Sequence, residues 1–198
     1  MRRIRIVVAY DGTNYCGWQI QPNGITIEEI LNRQISKLTG EDIRIIGASR
    51  TDSGVHALGN VAVFDTESRI PGDRFAYALN QKMPEDIVIV RSDEVQIDWH
   101  PRYQNEISKT YEYHIYNAKV RNPLKNRYST FVSFDLDVEK MRQGAKYILG
   151  EHDFASFCNV RTNAKDTVRT VHEITIKEIP MDKFQASNWG QENSNLEN

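Results

Sequence analysis

The first ninety residues switch repeatedly between two hydrophobic periods, and the order of the switches leaves few folds open. Ile4, Ile6, Val8 and Tyr10 recur at every second residue, the spacing of a half-buried strand, and the turn pair Asp11-Gly12 ends the run. From Thr26 the period lengthens to that of a helix. Ile27, Ile30, Leu31, Ile35 and Leu38 share one face, Thr26 and Glu29 form a capping-box pattern at its start, and Gly40 stops it. Strands are then predicted over Ile43 to Ala48 and Leu58 to Asp65, a helix from about Gly72 to Lys82 with Phe75, Ala78 and Leu79 inward, and a strand from Ile87 to Val90. The order β-α-β-β-α-β is that of a ferredoxin-like unit, an antiparallel sheet with both helices on one face.

A second half begins after a junction near Asp98 to Asn105. Thr110 to Tyr116 alternates Tyr111, Tyr113 and Ile115 against Glu112, His114 and Tyr116, which predicts a strand. Further strands are expected near Thr130 to Phe134 and from Thr167 to Ile179, with a helix from Asp137 to Leu149 closed by Gly150. The expected fold class is α+β, with two related lobes, residues 1–103 and 104–184, sharing a mostly antiparallel sheet. The second lobe looks incomplete, because an unpaired sheet edge is a liability that proteins normally cover. Residues 185–198 are polar and Asn-rich without periodicity, and a disordered tail is expected there.

Composition limits the setting and the partners. The 198 residues are 39% hydrophobic and 26% charged, enough for one sizeable core or two small ones. No apolar run reaches the length of a membrane span and the N-terminus enters strand pattern at once, so a soluble cytoplasmic protein is expected. Cys16 and Cys158 cannot build a disulfide framework, and no Cys or His pair has structural zinc spacing. A net charge of −2 argues against non-specific coating of nucleic acid, yet the charge is uneven. Lys119, Arg121, Lys125 and Arg127 stand together without an acid, and Arg161, Lys165 and Arg169 have only Asp166 among them. Either cluster reads as a solvated surface or as a place for phosphates.

The segment richest in chemistry is the polar loop Gly47-Ala48-Ser49-Arg50-Thr51-Asp52-Ser53-Gly54-Val55-His56-Ala57, set between two strands with one central carboxylate. A loop on a rigid sheet is where a site tends to sit. Taken alone, Thr51-Asp52-Ser53-Gly54 is also an ordinary turn sequence.

Company changes that reading. Ala9-Tyr10-Asp11-Gly12-Thr13-Asn14-Tyr15-Cys16-Gly17-Trp18-Gln19, the loop Gly47 to Ala57, Trp99-His100-Pro101-Arg102-Tyr103, Lys109-Thr110-Tyr111-Glu112-Tyr113 and Gly150-Glu151-His152-Asp153-Phe154-Ala155-Ser156-Phe157 follow one another in order. This set resembles the TruA-type tRNA pseudouridine synthases from residue 4 to about 179. The resemblance implies isomerisation of uridine to pseudouridine in the anticodon stem-loop of tRNA, at about positions 38 to 40, with RNA held in a cleft. It implies Asp52 as catalyst, Tyr111 as the ring lying against uracil and Arg50 as a substrate-binding neighbour. It implies no cofactor and no metal, and a homodimer. Arg102, Lys119, Arg121, Arg161, Lys165 and Arg169 are candidate RNA contacts through phosphate, which position RNA without reading sequence.

Family members also carry, after the last strand seen here, an Asn-Gly-Phe-like segment and a Met-Val-Arg-like helix whose arginine pairs with the catalytic aspartate. This sequence has neither, and Gln185-Ala186-Ser187-Asn188-Trp189-Gly190 does not replace them. The chain is therefore expected to lack a C-terminal part, which leaves a second reading: a catalytically impaired homologue serving as a tRNA-binding module. A third, a metal-dependent phosphoesterase using Asp11, Asp52 and His56, lacks dense carboxylate clustering.

Overall fold

The structure is a computed structural model that describes residues 1–103, 108–158 and 166–180. The chain divides into two compact units, Met1–Tyr113 and His114–Asn198.

The first unit has the expected order: β1 (Arg2–Tyr10), α1 (Ile27–Thr39), β2 (Ile46–Gly47), β3 (Ala57–Thr66), α2 (Phe75–Asn80) and β4 (Ile87–Val95). Its sheet runs β2-β3-β1-β4 with every pairing antiparallel. Ile4, Ile6, Val8 and Tyr10 point to the helix side, where they meet Ile27, Leu31 and Ile35 of α1 and Phe75 and Leu79 of α2 in one buried cluster. Phe64 and Phe75 meet edge to face across it, with ring centroids 5.3 Å apart. On the strands, charge pairs follow register: Arg3 lies opposite Asp65 and Arg5 opposite Asp93, and each arginine grips its aspartate with Nε and Nη2.

Helix α1 starts and stops as its sequence dictates. The Thr26 hydroxyl accepts a hydrogen bond from Glu29 N–H at 3.4 Å, and Gly40 ends the helix at φ +77° with its N–H on Ser36 O. Strand β2 is shorter than expected for an identifiable reason. Ser36 Oγ takes the Ile43 N–H and Asn32 Oδ1 takes the Ile45 N–H, so helix side chains occupy donors that a strand would need. Strand β4 is longer than expected because the apolar alternation breaks at a bulge rather than at the strand end. Val8 pairs with Ile89 but Val7 with Arg91, so Val90 is skipped and the inward positions move from Ile87 and Ile89 to Ser92. The helix expected over 72–82 is α2 alone, preceded by a 3₁₀ turn at Gly72–Arg74.

The second unit contains β5 (Ile115–Asn117), β6 (Thr130–Val132), α3 (Val138–Ala145), β7 (Gly150–Asp153) and β8 (Val168–Val171). Strands β5 and β6 pair in parallel, and β7 and β8 antiparallel. The strands of the whole chain thus form three sheets among the described residues, not the one shared sheet expected. The strands expected over Thr110 to Tyr116 and Thr167 to Ile179 survive only where a neighbouring strand takes their backbone groups, since alternation supplies a face but no partner. Helix α3 is capped by Asp137, which accepts from Lys140 N–H, a bond that holds its carboxyl below the usual carboxylate range. It ends at Ala145, before Leu149, where Tyr147 and Ile148 continue as tight turns onto Gly144 O and Ala145 O. None of the described residues from His114 to Pro180 is buried, so the core lies wholly in the first unit. The tail expected to be disordered lies outside the described residues. Among the described residues no helix is long and apolar enough to cross a membrane.

Because the Thr26 cap serves a helix that packs the whole sheet, Thr26→Ala should lower the unfolding free energy by about 1 kcal/mol in a urea titration. An unchanged midpoint would mean that the hydroxyl does not fix the helix start.

Candidate active site

The loop between β2 and β3 is held from below by the segment that precedes α1. Gly17 O and Trp18 O accept from the first helical amides, Ile27 N–H and Glu28 N–H, at 3.2 and 3.0 Å. Helix-start amides have no partner inside the helix, and here the chain just upstream supplies one. On its other edge the same segment grips the loop: Trp18 N–H donates to Thr51 O at 3.0 Å, and Gly54 N–H and Ser53 Oγ both donate to Tyr15 O at 3.2 Å. The approach is so close that a side chain at Gly17, where φ is +83°, would place its Cβ 2.5 Å from Thr51 O. A Cβ at Gly12 would sit 2.1 Å from Val55 O. The glycines of the first motif are there because the loop backbone occupies their Cβ space.

Polar side chains fix the rest of the loop. Tyr10, buried in the core, places its hydroxyl 2.9 Å from Thr51 Oγ1, and buried Asn60 donates to Ser49 O at 3.1 Å and to Tyr10 Oη at 3.4 Å. His56 Nδ1 stands 3.0 Å from Asp11 Oδ1 and 3.2 Å from Gly12 N. With a proton on Nδ1 the ring donates to Asp11, and without one it accepts from Gly12 N–H, so it ties the loop to the first motif in either state. Trp18 is a core residue, 1% exposed, with its indole over Gly47. The Tyr15 hydroxyl donates to Asp86 Oδ1 at 2.5 Å, and burial together with that carboxylate pushes its pKa up.

On this anchored frame Arg50 and Asp52 are exposed, and neither makes a side-chain hydrogen bond or ion pair among the described residues. They are the two charged side chains other than His56 in the loop, and its neighbouring backbone is bonded to Trp18, Tyr15 and Asn60. Two cations from beyond β4 reach the loop's start. Arg102 Nε donates to Gly47 O at 2.7 Å and Lys109 Nζ to Ala48 O at 3.4 Å, both residues belonging to the first unit. Arg102 and Lys109 are thereby brought to the loop, whereas Tyr111 is 72% exposed outside any strand. In the second unit Lys119 is paired with Asp135 at 2.7 Å, the Arg121 guanidinium lies over the Phe131 ring at 4.9 Å, and exposed Arg169 donates to Val168 O. Arg161 and Lys165 lie outside the described residues. Sequence reasoning passed over Asn60 and Asp86 and gave Tyr15 no role beyond its place in the first motif, because an isolated asparagine or aspartate carries no pattern until tertiary contacts join it to the loop.

A family profile described as tRNA pseudouridine synthase matches residues 6–104 and 145–188, a span that contains the loop, its supports Tyr10, Tyr15, Trp18 and Asn60, and Arg102. The chain belongs to that family. Members are isomerases, and this chain is one of them. It is 47% identical over 191 residues to tRNA pseudouridine synthase A of Acetivibrio thermocellus, covering 96% of this chain and 78% of that protein. It is 48% identical over 177 residues to tRNA pseudouridine synthase A 2 of Clostridium perfringens, covering 89% and 72%. With tRNA pseudouridine synthase A of Brevibacillus brevis it shares 44% over 179 residues, 90% and 73% of the two chains.

Two outcomes follow from the frame. Gly17→Ala must strain φ and push Thr51 away, which should cost of order 1–3 kcal/mol in thermal or denaturant unfolding and reduce turnover even at temperatures where the variant is folded. Normal stability and turnover would show that the loop accommodates the methyl group. The second concerns pH. The folded state holds the Tyr15 proton more tightly than the unfolded chain, so this contribution is complete below the unfolded value of about 10 and is lost as pH rises beyond it. Between about pH 9 and pH 11 the melting temperature of the natural chain should therefore fall more steeply than that of Tyr15→Phe, whose ring cannot ionise. Parallel pH profiles would remove Tyr15 from the alkaline transition.

Proposed function

We propose that this enzyme isomerises uridine to pseudouridine in the anticodon stem-loop of tRNA, at about positions 38 to 40, with Asp52 as its catalytic carboxylate. The observation carrying this reading is an exposed Asp52, without an ion pair among the described residues, on a loop whose backbone is bonded to Trp18, Tyr15 and Asn60. The reaction breaks the N1–C1′ glycosidic bond, turns the base, and joins C5 to C1′. C5 loses its proton and N1 gains one, so neither water nor redox equivalents are consumed. What the site must supply is a group that stabilises a charged or covalent intermediate, and an ionised carboxylate held in fixed geometry does so.

The target base has to leave its stack first, at a cost of a few kcal/mol. Stacking on an aromatic side chain returns about 1–3 kcal/mol, and Tyr111 is proposed for that role; its largely exposed ring has the free face that stacking requires. Arg50, two residues before Asp52 and without an acidic partner, is proposed to hold a phosphate or the space left by the flipped base. Arg102 and Arg169 are proposed to meet further phosphates. A phosphate reaching Lys119 would have to displace Asp135, which makes it the weaker contact of the set. The enzyme is proposed to act in the cytoplasm as a homodimer, with no cofactor or metal.

A second reading rests on two observations: no cation among the described residues neutralises Asp52, and the described part of the second unit buries no side chain. It makes the chain a tRNA-binding module of impaired activity. One assay separates the two. With tRNA tritiated at uridine C5, the natural chain should release tritium and Asp52→Asn should lower the rate by at least about a thousandfold, the scale of removing a nucleophile, while tRNA binding persists. Binding without release by the natural chain would establish the second reading, and undiminished release by the variant would remove Asp52 from the chemistry.

A further inference from the structure

Behind Tyr15 lies a feature that the proposed chemistry does not use, lined mostly by residues outside the family motifs. The face of α1 that carries Arg33, the residues Tyr15 and Ile25, and the turn Lys82-Met83-Pro84 after α2 enclose an open cavity of about 360 Å³ in the first unit. Its two cations share one concavity. Five arginines of this unit are cancelled, Arg2 by Glu94, Arg3 by Asp65, Arg5 by Asp93, Arg44 by Asp42 and Arg74 by Asp73. Arg33 and Lys82 are exposed and have no acidic partner among the described residues, and no carboxylate lines the cavity. Of the acids close in sequence to this lining, Asp86 accepts the Tyr15 hydroxyl and Asp11 is bound by His56 and Thr13, while Glu29 and Glu85 stand outside the lining. Two uncancelled positive charges converging on one concavity of a chain with net charge −2 mark a place for an anion.

The rest of the lining says which anion. Ile25 is 56% exposed and stands with Met83 and Pro84 on the apolar side of the cavity, a surface suited to the flat face of a sugar or base rather than to a free inorganic ion. The cavity also adjoins the loop through one residue. Tyr15 is part of its wall, while the Tyr15 carbonyl oxygen holds Gly54 N–H and Ser53 Oγ, the residues directly after Asp52. An RNA strand whose nucleotide is presented at Asp52 therefore has a charged, partly apolar groove beside it.

We propose that this groove is a backbone-binding subsite for the substrate RNA, with a phosphate between Arg33 and Lys82 and the adjoining nucleoside against Ile25 and Met83. The inference rests on the tRNA substrate proposed above, and its test is one of binding, independent of turnover. Affinity of the natural chain for unmodified tRNA is measured by filter binding over a series of salt concentrations, beside Arg33→Gln, Lys82→Gln and the double variant. Each single variant, deprived of one cation that meets phosphate, should show a slope of log affinity against log salt that is shallower by about 1, and the double variant by about 2 if the two cations act separately. Arg69→Gln is the control: it removes the same charge beyond the far end of β3 from the loop, and should leave the slope unchanged. All three positions are exposed, and a circular dichroism melt confirms that each variant is folded. Protection of Lys82 from an amine-acylating reagent by tRNA gives a second readout. If the natural chain binds tRNA and the groove variants match it in slope and affinity, with Lys82 unprotected, the groove proposal is overturned and the function is untouched. If the natural chain binds no tRNA, the substrate reading itself fails. Equal losses in the groove variants and in Arg69→Gln would mean net charge alone is at work, which also overturns the subsite.

Discussion

The backbone of Gly17 and Trp18 is the joint on which the first unit depends. It lies between two sets of backbone groups that need partners: the opening turn of α1 on one edge and Thr51 on the other. Neither can shift without the other, because Gly17 has no room for a side chain and Trp18 is locked into the core. Helix packing energy, which comes from the apolar face of α1 on the sheet, is in this way coupled to the position of a surface loop. The loop gains the rigidity of the core although its own residues are polar and half exposed.

Rigidity of this kind suits the role proposed for Asp52, a carboxylate held in fixed geometry. Tyr10 and Asn60 bring hydrogen bonds from inside the core up to Ser49 and Thr51, the two neighbours of Arg50. Buried polar groups are tolerated there because they satisfy one another, and their cost if left unpaired makes the arrangement discriminating. Asp52 and Arg50 remain available because the donors and acceptors around them are committed to one another.

Much of this was legible in the sequence, and the failures have definite causes. The order of the first unit, the Thr26 cap and the Gly40 stop were legible because each depends on residues within one helix or one strand. The ends of β2 and β4 were not. At Ile43 and Ile45 the backbone donors go to Ser36 and Asn32, side chains of another element, and at Val90 a bulge breaks the alternation that marks a strand. In the second unit alternation predicted long strands over Thr110 to Tyr116 and Thr167 to Ile179, but among the described residues strand pairing in those stretches covers only Ile115–Asn117 and Val168–Val171. Around the loop, Asp52 and Arg50 stood out through motif company and Tyr15 shared it without a visible role, while Asn60 and Asp86 had no local signature.

The sequence by itself determined the periods, the caps, the ferredoxin-like order and the family, since these are properties of neighbours along the chain and of ordered motifs. It also showed that a single carboxylate sits in the loop. Only the tertiary structure decided that the two glycine-bearing motifs press against each other, that Trp18 and Tyr15 serve as supports, and that Arg33 and Lys82 face one groove. Those facts depend on which backbone donors and charges are left over once residues distant in sequence have met, and no local pattern encodes that remainder.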